Sequence, residues 1–143
     1  MERRRRRQSS IRPLVLLADG HADTCELYAT ALSSLGFETT TVSDSAEAFA
    51  QVWRVRPDVI VTEVSGPEFN GWVFIHDVQR DPRTRDIPIV IVTGDGLPRT
   101  REQAVREGCA AFRLKPCLPD DLAVTLRAVV NGGDAHEHAS SAH

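Results

Sequence analysis

The sequence predicts one α/β domain built on a parallel sheet, and three observations predict it. Short apolar runs rich in β-branched residues alternate five times with segments of helical period, the rhythm of consecutive βα units. Three of those runs are apolar at every position rather than at every second one, as strands are when helices cover both faces of the sheet. A chain of 143 residues, 41% hydrophobic and 26% charged, suits a single domain with a real core; a second folded domain and global disorder are not expected.

Each element has its own signal. The first strand is Leu14 to Ala18. A helix follows from about Ala22 to Leu35, with Leu27, Ala31, Leu32 and Leu35 on one stripe and Gly36 to stop it. The second strand, Glu38 to Val42, is polar and belongs at an edge. The second helix opens with a capping box, Asp44-Ser45-Ala46-Glu47, carries Phe49, Val52 and Trp53 on one face, and ends before Pro57. The third strand is Val59 to Thr62. Its helix starts near Asn70-Gly71 and carries Trp72, Ile75 and Val78 to the Asp81-Pro82 break, with Trp72 read as an anchor of the helix rather than a ligand platform. The fourth strand is Ile89 to Thr93. The fourth helix, Pro98 to Glu107, is thin: Ala104 and Val105 are its only apolar residues beyond the opening proline, so weak packing and comparative mobility are expected. The fifth strand, Ala111 to Leu114, precedes a helix from Pro119 to Val130 that places Asp120 and Asp121 at the positive end of the helix dipole and buries Leu122, Leu126 and Val129.

These elements divide the chain into a basic arm over residues 1–12, a domain over 13–131 and a tail over 132–143, with arm and tail expected to be disordered. Charge follows the same division. Residues 1–13 hold six arginines and one glutamate, net +5, which leaves eleven basic against nineteen acidic residues in 14–143, net −8. An acidic body is a poor match for phosphate backbones, so contact with nucleic acid or an anionic membrane would fall to Arg3–Arg7 alone. No apolar run approaches the roughly 18–20 residues of a membrane span, and no apolar segment backs the arginines as in a signal peptide, so a cytoplasmic protein is expected. Cys25, Cys109 and Cys117 are widely spaced without a CxxC, which predicts reduced, buried or half-buried thiols rather than a disulfide framework or a zinc site. His136, His138 and His143 in the tail offer at most adventitious metal binding. His21 and His76 have no serine or cysteine partner at recognisable spacing, and hydrolytic chemistry is not expected.

Ligands of open α/β sheets bind outside the carboxyl ends of the strands. Four of the five strands end in a polar group there: Asp19 after the first, Glu63 after the third, Thr93 closing the fourth and Lys115 after the fifth. Strand ends meet water and take polar residues for that reason alone. Two carboxylates, a hydroxyl and the chain's only lysine together nevertheless predict one shared pocket.

The motifs Leu16-Leu17-Ala18-Asp19-Gly20, Asp58-Val59-Ile60-Val61-Thr62-Glu63 followed by Pro67 and Asn70-Gly71, Ile91-Val92-Thr93-Gly94, and Phe112-Arg113-Leu114-Lys115-Pro116 resemble the receiver domain of two-component response regulators, over residues 13–131. The resemblance implies a flavodoxin-like (βα)5 fold with strand order 2-1-3-4-5 and helices on both faces. It also implies a module of bacterial phosphorelay signalling with no enzymatic activity of its own. In that family a pair of acids after the first strand holds Mg²⁺, and an aspartate after the third accepts a phosphoryl group from a histidine kinase. The hydroxyl at the Thr93 position and the ammonium at the Lys115 position grip the phosphoryl oxygens, and the aromatic at the Phe112 position turns inward.

This sequence departs from that pattern twice. The acid pair reads Asp19-Gly20, which removes a hard oxygen ligand, so Mg²⁺ binding is expected to be weak or absent and no cofactor is implied. The acceptor position reads Glu63, whose carboxylate stands a methylene farther out than an aspartate's, and in-line phosphoryl transfer tolerates little misplacement. An atypical, stand-alone receiver is therefore expected, a protein-interaction module that meets a kinase or downstream target through its fourth helix, fifth strand and fifth helix, where Arg113 lies. Glu63 reads either as a mimic of the phosphorylated state or as a plain salt-bridge partner of Lys115. Two rival functions stay open: phosphoryl acceptance on another carboxylate such as Asp19, and tethering of the domain by the arginine arm.

Overall fold

Alternation along the central strands decides the architecture. The computed structural model describes residues 12–66 and 69–132; the expected arm and tail, and Pro67, lie outside the described residues apart from Arg12 and Gly132. Strands β1 (Leu14–Ala18), β2 (Glu38–Val42), β3 (Val59–Thr62), β4 (Ile89–Thr93) and β5 (Ala111–Leu114) form one parallel sheet in the order β2-β1-β3-β4-β5. Helices α1 (Ala22–Ser34), α2 (Ser45–Val55), α3 (Gly71–Arg80) and α4 (Pro98–Arg106) connect them, and α5 (Pro119–Val130) follows β5. Successive side chains of a strand point to opposite faces, so each apolar strand feeds two cores. Val15, Leu17, Val59, Val61, Val90 and Val92 meet Cys25, Tyr28 and Leu32 of α1 and Leu122, Leu126 and Val129 of α5. Leu16, Ile60, Ile89, Ile91 and Phe112 meet Ala48 and Val52 of α2, Phe74, Ile75 and Val78 of α3, and Ala104 of α4. The polar β2 is the edge strand, and none of its residues is buried.

Helix faces correct several expectations. The buried stripe of α1 is Cys25, Tyr28 and Leu32, whereas Leu27 is 66% exposed. At about 100° per residue, Leu27 lies about 140° around the helix from Leu32, and the inward positions are filled by two residues with polar atoms that find partners. The Tyr28 hydroxyl donates to the Cys117 carbonyl at 2.7 Å, and the Cys25 thiol faces the carbonyls of Leu17 and Asp19. In α4, Val105 is 60% exposed, and Thr100 and Ala104 are the buried residues. Only half of the expected capping box forms: Asp44 accepts the Ala46 N–H at 2.9 Å, without a return bond from the Glu47 side chain. Phe49, Trp53 and Trp72 are half-buried. Trp53 is covered from outside by the guanidinium groups of Arg56 and Arg83, at 4.6 and 3.8 Å from the ring centroid. The three cysteines are free, two buried and Cys117 half-buried.

Two residues start α3 beneath the end of β3. The Asn70 side chain accepts the Val73 N–H at 3.2 Å and caps the helix. Gly71 leaves no room for a side chain, because a Cβ there would stand 2.0 Å from the Glu63 carbonyl oxygen. That close approach brings α3 directly under the loop that carries Glu63.

Candidate functional site

The order β2-β1-β3-β4-β5 brings the carboxyl ends of β1, β3, β4 and β5 to one edge, with the reversal of strand order between β1 and β3. The sheet ladder runs one residue beyond the strands into the site. Asp19 N–H donates to the Val42 carbonyl, Glu63 N–H to that of Ala18 and Lys115 N–H to that of Thr93, at 3.2, 3.0 and 2.8 Å. Backbone positions of all three charged residues are thereby fixed by the sheet rather than by free loops.

Their side chains converge as expected. Lys115 Nζ lies 2.9 Å from Asp19 Oδ2 and 3.0 Å from Glu63 Oε1. The second oxygen of each carboxylate is also engaged. Glu63 Oε2 accepts the N–H of Val64 at 2.7 Å, the N–H of Ser65 at 2.9 Å and the Ser65 hydroxyl at 3.1 Å. Asp19 Oδ1 accepts the His21 N–H at 2.9 Å, with the His21 ring Nδ1 at 3.3 Å. Both carboxylates are buried, Asp19 at 7% and Glu63 at 5% exposure, and each is satisfied by donors, as buried charges must be.

The electrostatics follow from these contacts. Burial pushes the Glu63 carboxyl up, but hydrogen bonding from Thr93, Ser65, Lys115 and Val64 outweighs it and brings the carboxyl down to about 2. Thr93 acts on the carboxylate at close range, although the bond its hydroxyl makes is to Ser65 Oγ at 3.1 Å. Burial pushes the Lys115 ammonium down, and its two carboxylates more than compensate, so its affinity for a proton is raised. Glu63 is thus a permanent anion at neutral pH and Lys115 a permanent cation.

The other expected site residues fall into place around this centre. Gly20 follows Asp19 in the chain and brings no side-chain oxygen. The carboxylates a divalent cation would meet are therefore Asp19 and Glu63, whose inward oxygens both lie within 3.0 Å of the Lys115 ammonium; a hard dication there would face a positive charge. Phe112 lies outside the pocket, fully inside the core shared with α3 and α4, with the Arg101 guanidinium 4.6 Å from its ring centroid. Sequence reasoning missed Ser65, which joins Glu63 to Thr93, and His21 as a partner of Asp19. Ser65 carries one local signal: a carboxylate two residues before a serine can accept both the serine N–H and its hydroxyl in a tight turn.

The surface beside the site is apolar in places. Of the seven large hydrophobic residues exposed among the described residues, Leu97, Val105, Leu114, Leu118 and Val124 belong to α4, β5, α5 or the residues that cap those helices. Arg113 on β5 is half-buried and donates from Nε to the Thr125 hydroxyl of α5 at 3.0 Å.

Comparison with known proteins agrees with the fold. A family model described as "Response regulator receiver domain" matches residues 15–127. The chain is 28% identical over 116 residues to the "Probable transcriptional regulator ycf27" of Guillardia theta, which covers 81% of this chain and 44% of that protein. It is 27% identical over 128 residues to the "Response regulator Rre1" of Synechocystis sp., covering 89% of this chain and 55% of that protein. The chain thus spans about half the length of these curated relatives. Among solved structures, the chemotaxis response regulator CheY4 of Vibrio cholerae superposes with a TM-score of 0.75 at 27% identity, over 82% of this chain and 98% of that one.

Proposed function

The chain belongs to the response regulator receiver domain family, and from that premise we propose that it works in two-component signalling as a protein-interaction module whose switch site is set by the fixed charge of Glu63 instead of by a transferable phosphoryl group. One observation carries this reading: the groups that in the family grip phosphoryl oxygens here bear on a carboxylate of the chain itself. Lys115 holds one Glu63 oxygen, and Ser65, bonded in turn to Thr93, holds the other.

The same geometry argues against Glu63 as an acceptor. A nucleophilic carboxylate attacks with an oxygen free to approach phosphorus, and in Glu63 three donors occupy Oε2 while the Lys115 ammonium holds Oε1. A carboxyl brought down to about 2 is also a weak base and a correspondingly weak nucleophile. Mg²⁺ binding is weak or absent on this reading, since Gly20 supplies no carboxylate and the Lys115 ammonium already pairs with one oxygen of each of the two that remain. The domain then has no turnover of its own. Its partner, a kinase or a downstream target, meets the α4, β5 and α5 surface, where exposed Leu97, Val105, Leu114 and Leu118 provide the apolar contact that such interfaces bury.

The experiment is incubation with Mg²⁺ and a small-molecule phosphodonor, read by intact mass, with a family member that retains its acceptor aspartate as the positive control. An unchanged mass is the expected result. A gain of one phosphoryl group overturns the reading, and mapping it to Asp19 would establish the rival acceptor.

A further inference from the structure

We infer that the Ser65 hydroxyl is the positioning link through which the Glu63 carboxylate fixes the first turn of α4, a coupling that rests on Glu63 acting as a standing charge. The hydrogen bonds run in one direction. A hydroxyl has a single proton, and that of Ser65 goes to Glu63 Oε2 at 3.1 Å, leaving its oxygen to accept from Thr93 Oγ1, also at 3.1 Å. With its own proton committed, Thr93 accepts the Asp95 N–H at 3.2 Å. Asp95 then reaches α4: its Oδ1 accepts the N–H of Leu97 at 3.1 Å and its Oδ2 the hydroxyl of Thr100 at 2.9 Å.

The helix depends on this clasp. Leu97 is the N-cap residue of α4 and makes no side-chain cap bond; Asp95, two residues upstream, instead holds the start of the helix through the Leu97 N–H and the Thr100 hydroxyl. Only Thr100 and Ala104 of α4 are buried, so apolar packing does little to secure its first turn. Thr93 and Thr100 are both buried, and their hydroxyls need the partners named. The residue after Thr100 is Arg101, whose guanidinium lies over the inward Phe112. A loosened first turn therefore disturbs the same α4 and β5 surface to which the partner is assigned. Ser65 itself is exposed, in the loop after β3, so a change there leaves both cores intact.

Amide hydrogen exchange of Leu97, Thr100 and Arg101 tests the link in the full chain, for wild type, Ser65→Ala and Ser65→Thr, each with and without Glu63→Gln. The amides of Val15 and Leu17 in β1 report global opening. Beyond any change in β1, Ser65→Ala should speed exchange of the α4 amides about fivefold, the loss of one hydrogen bond, whereas Ser65→Thr, which keeps the hydroxyl, should leave them within about twofold of wild type. Glu63→Gln should speed the same amides in the wild-type background and have a clearly smaller effect once Ser65 is alanine, where only the direct approach of Thr93 to Glu63 remains. Unchanged exchange in Ser65→Ala, or an equal effect of Glu63→Gln in both backgrounds, overturns the link. If Glu63→Gln does not fold, the alanine and threonine variants decide alone. Failure here leaves the charge reading standing, and phosphoryl uptake by Glu63 would sink that reading while leaving the exchange result in place.

Discussion

Replacing Glu63 by glutamine keeps the side chain's size and removes its charge, and the pocket cannot accommodate the amide in either orientation. With the amide oxygen in the Oε2 position, the bonds from Val64, Ser65 and the Ser65 hydroxyl persist in weaker, uncharged form, but the amide NH₂ then faces Lys115 Nζ, donor against donor across the former 3.0 Å contact. Turned over, the NH₂ faces three donors. Lys115 keeps Asp19 at 2.9 Å, so the ammonium is not left alone. The magnitude follows from linkage. A carboxyl displaced from its ordinary 4.5 to about 2 corresponds, after discounting for solvent screening at the pocket mouth, to about 2–3 kcal/mol of native-state stability that the uncharged form lacks. For a domain of this size the melting temperature should fall by about 10 °C.

The sign of the pH dependence makes this refutable. A depressed carboxyl stabilises the native state above its unfolded-state value, and that contribution is lost as pH falls through its native value. Urea unfolding should show wild type more stable than Glu63→Gln by the full amount at pH 7, with the gap closing between about pH 4.5 and 2. Crossing Glu63→Gln with Lys115→Met should give a coupling energy of about 1–2 kcal/mol. A difference under about 0.5 kcal/mol at pH 7, or one that does not change with pH in the acid range, would refute the argument from charge.

Three further outcomes follow from other contacts. Gly71→Ala should cost about 2–3 kcal/mol by thermal unfolding, because its Cβ would press on the Glu63 backbone at 2.0 Å, whereas Gly94→Ala, with nothing within 4 Å of the new Cβ, should be neutral within about 0.5 kcal/mol. Tyr28→Phe removes the 2.7 Å bond to the Cys117 carbonyl and should lower stability by about 1 kcal/mol in urea. Magnesium chloride at about 10 mM should leave the melting temperature within about 1 °C of the metal-free value, and a rise of several degrees would show a competent metal site; Gly20→Asp tests whether the missing carboxylate is the cause.

Legibility in the sequence followed how far each feature depends on neighbours in the chain. All five strands stand at the residues their apolar or β-branched runs indicate, and the helices end two residues before their Gly and Pro signals, Leu35 and Glu107 being caps rather than last turns. Helix faces were less legible because counting leucine and valine ignores residues that are buried with a satisfied polar atom. Tyr28 and Thr100 point inward, each with its hydroxyl bonded, and Leu27 and Val105 point out. The sheet order was not readable from periodicity and came from the family resemblance. Asp19, Glu63, Thr93 and Lys115 could be found because strand ends in a parallel sheet share an edge. Ser65 carried only the local signal of a carboxylate two residues before it and Asp95 carried none, since their links to Thr93 and Thr100 arise from loop geometry that places hydroxyls and carboxylates across separate crossovers.

On the proposed reading, the single methylene that separates glutamate from aspartate decides how signals can enter the site. It lets the Glu63 carboxylate reach Lys115 with one oxygen while the other folds back on the N–H groups of its own loop. The Glu63 carboxyl is depressed so far that its charge does not change between about pH 4.5 and neutrality. A carboxylate of constant charge stores no information by itself. On the proposed reading, the state of the domain is instead changed by whatever binds α4, β5 and α5, because the bonds through Ser65, Thr93 and Asp95 tie that surface to the pocket in both directions. By thermodynamic reciprocity, a partner that prefers the clasped first turn of α4 must strengthen the hold on Glu63 by the same free energy that Glu63 contributes to partner binding. Partner affinity and the acid-range stability gap between wild type and Glu63→Gln should accordingly rise together, and a partner that binds both forms equally would place its contact elsewhere on the domain.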